Sequence, residues 1–561
     1  MSDRLLIGKV QYVDTGNVTI TISDDSLVNS IQVNQIVEID SSKTGEKIIG
    51  LISKILRKSL FSEEYDAEEI CLTENSVRVN LVGTFKDKDG TRENVFKRTL
   101  NTVPSLEADC YLLCGEALSK FMKSISSGSK TPLCIGKYSM SEDSEANLDG
   151  NKFLQRHAVI VGGTGSGKSW TVANIIEKAA KLKSANIVLF DIHGEYSPLD
   201  NLDNVKLIKV AGPGDSIDDD KTLFLPYWLL SYEEMTAMLL DRSDQNAPNQ
   251  SRLLFESVME QKLKTVQENK DTVTESNLTI ESPIPYDIKS VLGKLKSKDA
   301  EIVPGAKAGT TKAGDYNGKL TRFIQRLETK ISDKRLNFMF NDNIELQKYD
   351  WLAKLIEKLM GFGAMKGVKI VDFSEVPSDI LSVVTGLVGR LIFTVQQWTK
   401  AEDRHPIAIF CDEAHLYLPA SVDDNVSARG VKNFERIAKE GRKYGVALVV
   451  ISQRPSDVSK TILSQCGNFI AMRLTNPEDQ NVIKRLFPDN LCDFAEMLPI
   501  LDVGECLVVG DASLLPSRVI VHKPEIKPKS STVDFWDKWS EDKTSTSWAD
   551  AVAALRHQQK V

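Results

Sequence analysis

The chain lacks any apolar run long enough to cross a bilayer, which takes about 18–20 residues. Its opening, MSDRLLIGKVQYVDTG, turns polar too soon for a secretory core. We therefore expect a cytoplasmic protein with no membrane attachment. Cysteine is sparse and never paired as CxxC: Cys71, Cys110, Cys114, Cys134, Cys411, Cys466, Cys492 and Cys506 are scattered, which excludes a zinc ribbon or a disulfide framework and predicts buried free thiols. Positive charge is also short. A formal net charge of −8 excludes a surface that coats nucleic acid indiscriminately and leaves phosphate contact to local basic loops. What is present in quantity is a core: 41% hydrophobic and 26% charged residues place the chain among ordinary globular proteins, and 561 residues allow three or four domains at roughly 150 each.

Residues 1–125 read as short alternating strands, such as Val18–Ile22, Ile48–Ile52 and Val77–Val82, and predict a small β-barrel. Residues 126–150, rich in Ser, Gly and Asp, read as a linker. Residues 151–523 alternate buried strands (Ala158–Val161, Ile187–Phe190, Val368–Phe373, Ile407–Cys411, Val446–Ile451, Phe469–Leu474) with helical patterns, and predict an α/β domain around a parallel sheet. Within it, residues 228–358 read as a helical insertion, with Leu253, Leu254 and Val258 at helical spacing and a glycine-bearing flexible segment near 296–318. Residues 524–561 begin Pro-rich and end in one short helix around Trp548, Val552 and Leu555, a tail expected to pack across another surface.

The strongest motif is Gly162-Gly163-Thr164-Gly165-Ser166-Gly167-Lys168-Ser169, directly after a strand and before a helix with Val172, Ile175, Ile176 and Ala179 on one face. Glycines let backbone N–H groups close around phosphates, Lys168 neutralises charge, and Ser169 ligates Mg²⁺. ATP and Mg²⁺ are the expected cofactors, and Trp170 is grouped with the loop as a nucleotide contact. The strand ending Asp412-Glu413 supplies two carboxylates, Asp412 for the metal and Glu413 to polarise the attacking water. Asp191 and Glu195, in Asp-Ile-His-Gly-Glu-Tyr, fit supporting acids and a turn cap equally well, and His193 receives no role. Gln453 ends another strand and fits either a γ-phosphate sensor or a polar strand end. Phe434, Ile437, Ala438 and Gly441 form an apolar helical stripe that leaves Arg436 and Arg442 to project outward, either as a solvated basic face or, in a ring, as a finger that enters a neighbouring subunit's site.

The order of these motifs, GGTGSGKS, DIHGEY, IAIFCDEAH, AKEGRKYGVALVVISQRPSDV and GECLVVGDASLLPSRV, resembles the HerA-type ATPases of the HerA–FtsK superfamily over essentially the whole chain. The resemblance implies a RecA-like P-loop core with an N-terminal HAS barrel, a helical insertion and a C-terminal brace. It implies a homohexameric, ATP-driven translocase or helicase on double-stranded DNA. Such proteins work with a nuclease, or with a sirtuin-like NADase in anti-phage defence. On this reading Lys168 and Ser169 serve phosphate and metal, Asp412 and Glu413 metal and water, Gln453 senses the γ-phosphate, and Asp191 and Glu195 support. Arg442 is the first choice of finger and Arg436 the second, Arg518 reaches nucleotide or interface, and Arg429 and Lys432 are the pore-loop contacts to DNA. The alternative is a hexameric scaffold that ATP switches on to assemble an effector without processive motion.

Overall fold

The computed structural model describes residues 4–60, 72–86, 95–100, 102–125, 131–269, 273–307, 309–421, 425–488, 492–530, 533–541 and 548–558. The chain divides into two compact units, residues 1–179 with 449–527 and residues 180–448 with 528–561. This division cuts through the expected 151–523 core instead of following its edges.

In the first unit, strand Asn17–Ile22 pairs on one side with Arg4–Val13 and on the other with Leu72–Lys86. Asp109–Leu113, Ile36–Asp40 and Glu46–Leu60 complete the ring, so six strands close into a barrel and leave no edge among themselves. Alternation explains why: Val18, Ile20 and Ile22 turn inward onto Val10, Ile39, Ile48 and Val79, while Asn17, Thr19 and Thr21 face out. The barrel is tied to the end of the same unit by Arg98, whose guanidinium donates to the carbonyls of Gly510, Ser513 and Leu514. That bonding is one reason residues so distant in sequence fall in one compact body.

The rest of the first unit is a mixed sheet. Val446–Ser452, Ala158–Val161 and Asn468–Met472 run parallel; Glu505–Gly510, Ser517–Val521, Leu133–Tyr138 and Ser141–Leu148 continue it antiparallel. Two expectations are corrected here. The sheet is not purely parallel. Residues 133–148, within the 126–150 segment read as linker, form a hairpin of that sheet, because a sequence that carries Ser139, Ser141, Asp143, Ser144 and Glu145 lies at an edge where one face stays wet.

In the second unit, Thr222–Leu223, Val205–Val210, Val368–Asp372, Ile187–Asp191 and Ile407–Cys411 make an all-parallel sheet, which suits their nearly unbroken apolar runs. The insertion is helical as read, with helices Tyr232–Leu239, Ala247–Asn269, Ile288–Asp299, Thr321–Ser332 and Trp351–Met360, and it buries Leu253, Leu254 and Val258. The segment near 296–318 is more ordered in form than expected: Ile302–Pro304 pairs with Thr311–Ala313. An ion pair between a buried carboxylate and a partly buried guanidinium locks the insertion to the sheet's helices. Glu234, held at its own helix start by a capping box with Ser231, receives Arg390 at 2.8 and 2.7 Å and Asn433 at 2.9 Å. In the tail, helices Phe535–Ser540 and Ala549–His557 leave Trp536, Trp539, Trp548 and Leu555 exposed. No helix among the described residues is long and apolar enough to cross a membrane.

Candidate functional site

The phosphate loop follows strand Ala158–Val161, all four residues of which are fully buried, and opens the helix Lys168–Ala180. Its shape needs glycine. Gly165 and Gly167 take φ of +73° and +102°, and a Cβ on Gly162 would come within 2.4 Å of the Ser166 hydroxyl oxygen. The loop is held from two sides: Gly163 N–H donates to the Arg473 carbonyl at 2.9 Å, and Gly504 N–H donates to the Ser166 carbonyl at 2.9 Å. Lys168 is buried and Ser169 half-buried, while Thr164 at the loop tip is exposed. A bare backbone cradle with a lysine and a hydroxyl at a helix start suits a nucleoside triphosphate and its Mg²⁺.

Two predicted residues of the same unit fall beside this loop or behind it. Gln453 meets the loop tip, its amide oxygen accepting from the Thr164 hydroxyl at 2.7 Å. Arg518 instead donates to Glu505 at 2.5 Å, and Glu505 also accepts the Asp502 N–H at 3.0 Å. Arg518 thus braces the Asp502–Glu505 turn whose Gly504 supports the loop, a different post from the nucleotide or interface contact expected of it. The Gly504 turn itself was missed, since one glycine among polar residues carries no periodic signal. Trp170 is half-buried with the Lys527 ammonium 5.9 Å from its ring centre.

The acids stand in the second unit. Strand Ile407–Cys411 is buried throughout, and the two residues after it, Asp412 and Glu413, are only 1% and 3% exposed. Glu413 sits at φ +44°, ψ +44°, a left-handed conformation that costs a non-glycine residue on the order of 1–3 kcal/mol and is typical of residues held for function. Its carboxylate lies 3.3 Å from His415 Nδ1. Asp191 is fully buried and accepts N–H bonds from Glu195 at 3.0 Å and Tyr196 at 2.9 Å, so it caps the following turn as one of its two readings required. Burial pushes its carboxyl up to about 6, with Asp372 on the neighbouring strand adding to the push. Tyr196 is the residue around which the acids gather: burial first, then the charges of Asp412, Asp191, Glu195 and Glu413 hold its phenol protonated, and its hydroxyl finds no hydrogen-bond partner among the described residues. Sequence reading passed Tyr196 over because a tyrosine after a strand looks like core.

The arginines divide clearly. Arg436 is engaged, paired with Glu440 at 3.5 Å, bonded to Gln397 at 3.3 Å and laid over the Phe393 ring. Arg442 is exposed and forms no ion pair with any described residue. Arg429 and Lys432 were expected on a pore loop. Both instead lie within helix Asn425–Glu440, because the stripe Val431, Phe434, Ile437 and Ala438 gives that segment a buried helical face. Arg429 is ion-paired to Glu233, while Lys432 is exposed.

Comparison with known proteins gives the family. Residues 133–392 match the family described as helicase HerA, central domain, and residues 363–550 match the helicase HerA-like C-terminal family. Similar proteins include the DNA double-strand break repair helicase HerA of Sulfolobus acidocaldarius, 28% identical over 398 residues that cover 70% of this chain and 69% of that one. A probable helicase of Methanocaldococcus jannaschii is 25% identical over 93% of this chain and 96% of its own. A solved VirB4 structure from Thermoanaerobacter pseudethanolicus overlaps with a TM-score of 0.45 at 14% identity, covering 71% of this chain and 97% of that one. With both halves of its core under profiles of one family, the chain belongs to the HerA-type ATPases, enzymes that hydrolyse ATP.

Proposed function

We propose that this ATPase is a translocase or helicase acting on double-stranded DNA as a homohexamer, supplying an effector such as a nuclease or an NADase in DNA processing or anti-phage defence. The observation that carries the reading is the glycine cradle with Gln453 bonded to its tip, an arrangement in which the state of the γ-phosphate is felt by a strand end. Lys168 and the loop amides bind the phosphates, and Ser169 and Asp412 are the residues we assign to Mg²⁺. When bound, Mg²⁺ neutralises charge on the phosphate oxygens. Glu413 orients water and accepts its proton, with His415 Nδ1 3.3 Å from its carboxylate. Asp191 and Glu195 support the turn around Tyr196. Arg442, exposed and without an ion pair among the described residues, is the better finger than Arg436, whose charge is already met.

The relatives named as DNA repair helicases support DNA as the track. The test is the rate of phosphate release with and without linear duplex DNA: a several-fold rise with DNA supports a motor, and no rise removes it. Mixing Arg442→Ala with Lys168→Ala subunits should restore hydrolysis if the arginine acts on its neighbour; inert mixtures would return Arg442 to the surface. The acidic balance of the chain and the pairing of Arg429 with Glu233 favour the ATP-switched scaffold as second reading, which predicts stimulation by the effector but not by DNA.

A further inference from the structure

The antiparallel edge of the first unit brings together a donor set that no sequence spacing advertises. Cys134 lies on strand Leu133–Tyr138, Glu145 on strand Ser141–Leu148 and His522 just past strand Ser517–Val521, three neighbours in one sheet. Their thiol, carboxylate and imidazole atoms all lie within 4.8 Å of one another. The Cys134 thiol donates to Glu145 Oε2 at 2.9 Å, and His522 Nε2 stands 3.5 Å from the same oxygen. We propose that Cys134, Glu145 and His522 bind a divalent zinc ion, at a site separate from the Mg²⁺ of the phosphate loop.

Donor chemistry selects the metal. A thiolate with an imidazole and one carboxylate is a zinc set, whereas Mg²⁺ prefers oxygen alone. Zinc bonds of about 2.0–2.3 Å in a tetrahedron place ligand atoms about 3.3–3.8 Å apart, so the observed cluster needs only small side-chain movement. Binding replaces the thiol proton, which leaves to solvent; nothing is oxidised or reduced. All three residues are partly accessible, which gives the ion a way in. A fourth position stays open for water.

The backbone beneath the cluster is already set. His522 N–H donates to the Ile135 carbonyl at 3.0 Å, and the Asn174 amide of the phosphate-loop helix donates to that same carbonyl at 3.0 Å. Three residues further along the helix, the Glu177 carboxylate accepts the N–H groups of Glu525 and Ile526 at 3.0 and 2.7 Å. Zinc would therefore staple the chain leaving the sheet, from 522 onward, to the hairpin against which the nucleotide-binding helix is anchored.

The test uses the full chain without a metal-affinity tag. After equilibration with Zn²⁺ and desalting, elemental analysis should find about one zinc per chain. Titration of the stripped chain with Co²⁺ in the absence of nucleotide should give a thiolate-to-cobalt band in the near ultraviolet and the visible bands of a four-coordinate ion. Cys134→Ser and His522→Ala should each abolish the band and weaken zinc roughly 100-fold or more in competition with a chromophoric chelator. Cys114→Ser should leave both unchanged. Because the substituted side chains are partly exposed, unchanged far-ultraviolet circular dichroism separates loss of the site from loss of fold. No retained zinc in the wild type, a cobalt spectrum indifferent to Cys134→Ser and His522→Ala, or a band that vanishes with Cys114→Ser would each overturn the assignment.

Discussion

In the first unit the polar groups gathered past the strand end are backbone amides, kept bare by Gly162, Gly165 and Gly167; in the second they are carboxylates, Asp191, Asp412 and Glu413, on residues that bury almost completely. The first arrangement receives negative charge and the second supplies it. Their sensitivities differ accordingly. An amide cradle is damaged by a side chain added at its glycines or by loss of its one cation, whereas buried acids are damaged by loss of charge even at constant shape.

The sharpest way to break this contrast is to substitute one residue in each unit. Lys168→Ala should remove nucleotide binding outright, while Glu413→Gln should keep binding and slow phosphate release by about 10²–10⁴, the usual worth of a positioned general base. Equal loss of binding in both, measured by titration with a fluorescent ATP analogue, would erase the division of labour. Next in size is the ion pair of the second unit. Arg390→Ala strands the Glu234 carboxylate in the interior and should lower unfolding free energy by about 3–5 kcal/mol, read from the denaturant midpoint.

A smaller effect distinguishes the acids by pH. The Asp191 carboxyl titrates near 6 when folded and at the ordinary, lower value when unfolded, so the folded state holds its proton more tightly. Its contribution is fully present below the unfolded pKa and is lost as pH rises through about 6, on the order of 2–3 kcal/mol. Thermal midpoints of Asp191→Asn should therefore fall less than those of the wild type between about pH 4 and 7; parallel curves would count against it. The smallest change belongs to the loop tip. Gln453→Ala deletes one hydrogen bond to Thr164, worth about 1 kcal/mol, and should lower turnover roughly fivefold with little change in ATP affinity.

The phosphate loop was legible because its chemistry is local: eight consecutive residues between a strand and a helix hold both the glycines and the cation. Asp412 and Glu413 were legible for the same reason, sitting at the end of an apolar run that can only be a buried strand. Arg429 was misplaced because its role on a loop was carried from the family, while the apolar spacing of Val431, Phe434, Ile437 and Ala438 decides for a helix. The hairpin 133–148 was hidden by composition, since an edge strand with one wet face reads much like a loop.

What sequence alone determined are the features carried by contiguous or periodic residues: a closed N-terminal barrel, buried parallel strands, a helical insertion, and a loop built for triphosphate. Tertiary structure decided what depends on residues far apart in the chain. It set Arg518 against Glu505, gathered four acids around Tyr196, and brought Cys134, Glu145 and His522 to one sheet edge. Periodicity reports which face of an element is buried, but only the folded backbone sets which distant side chains share that face.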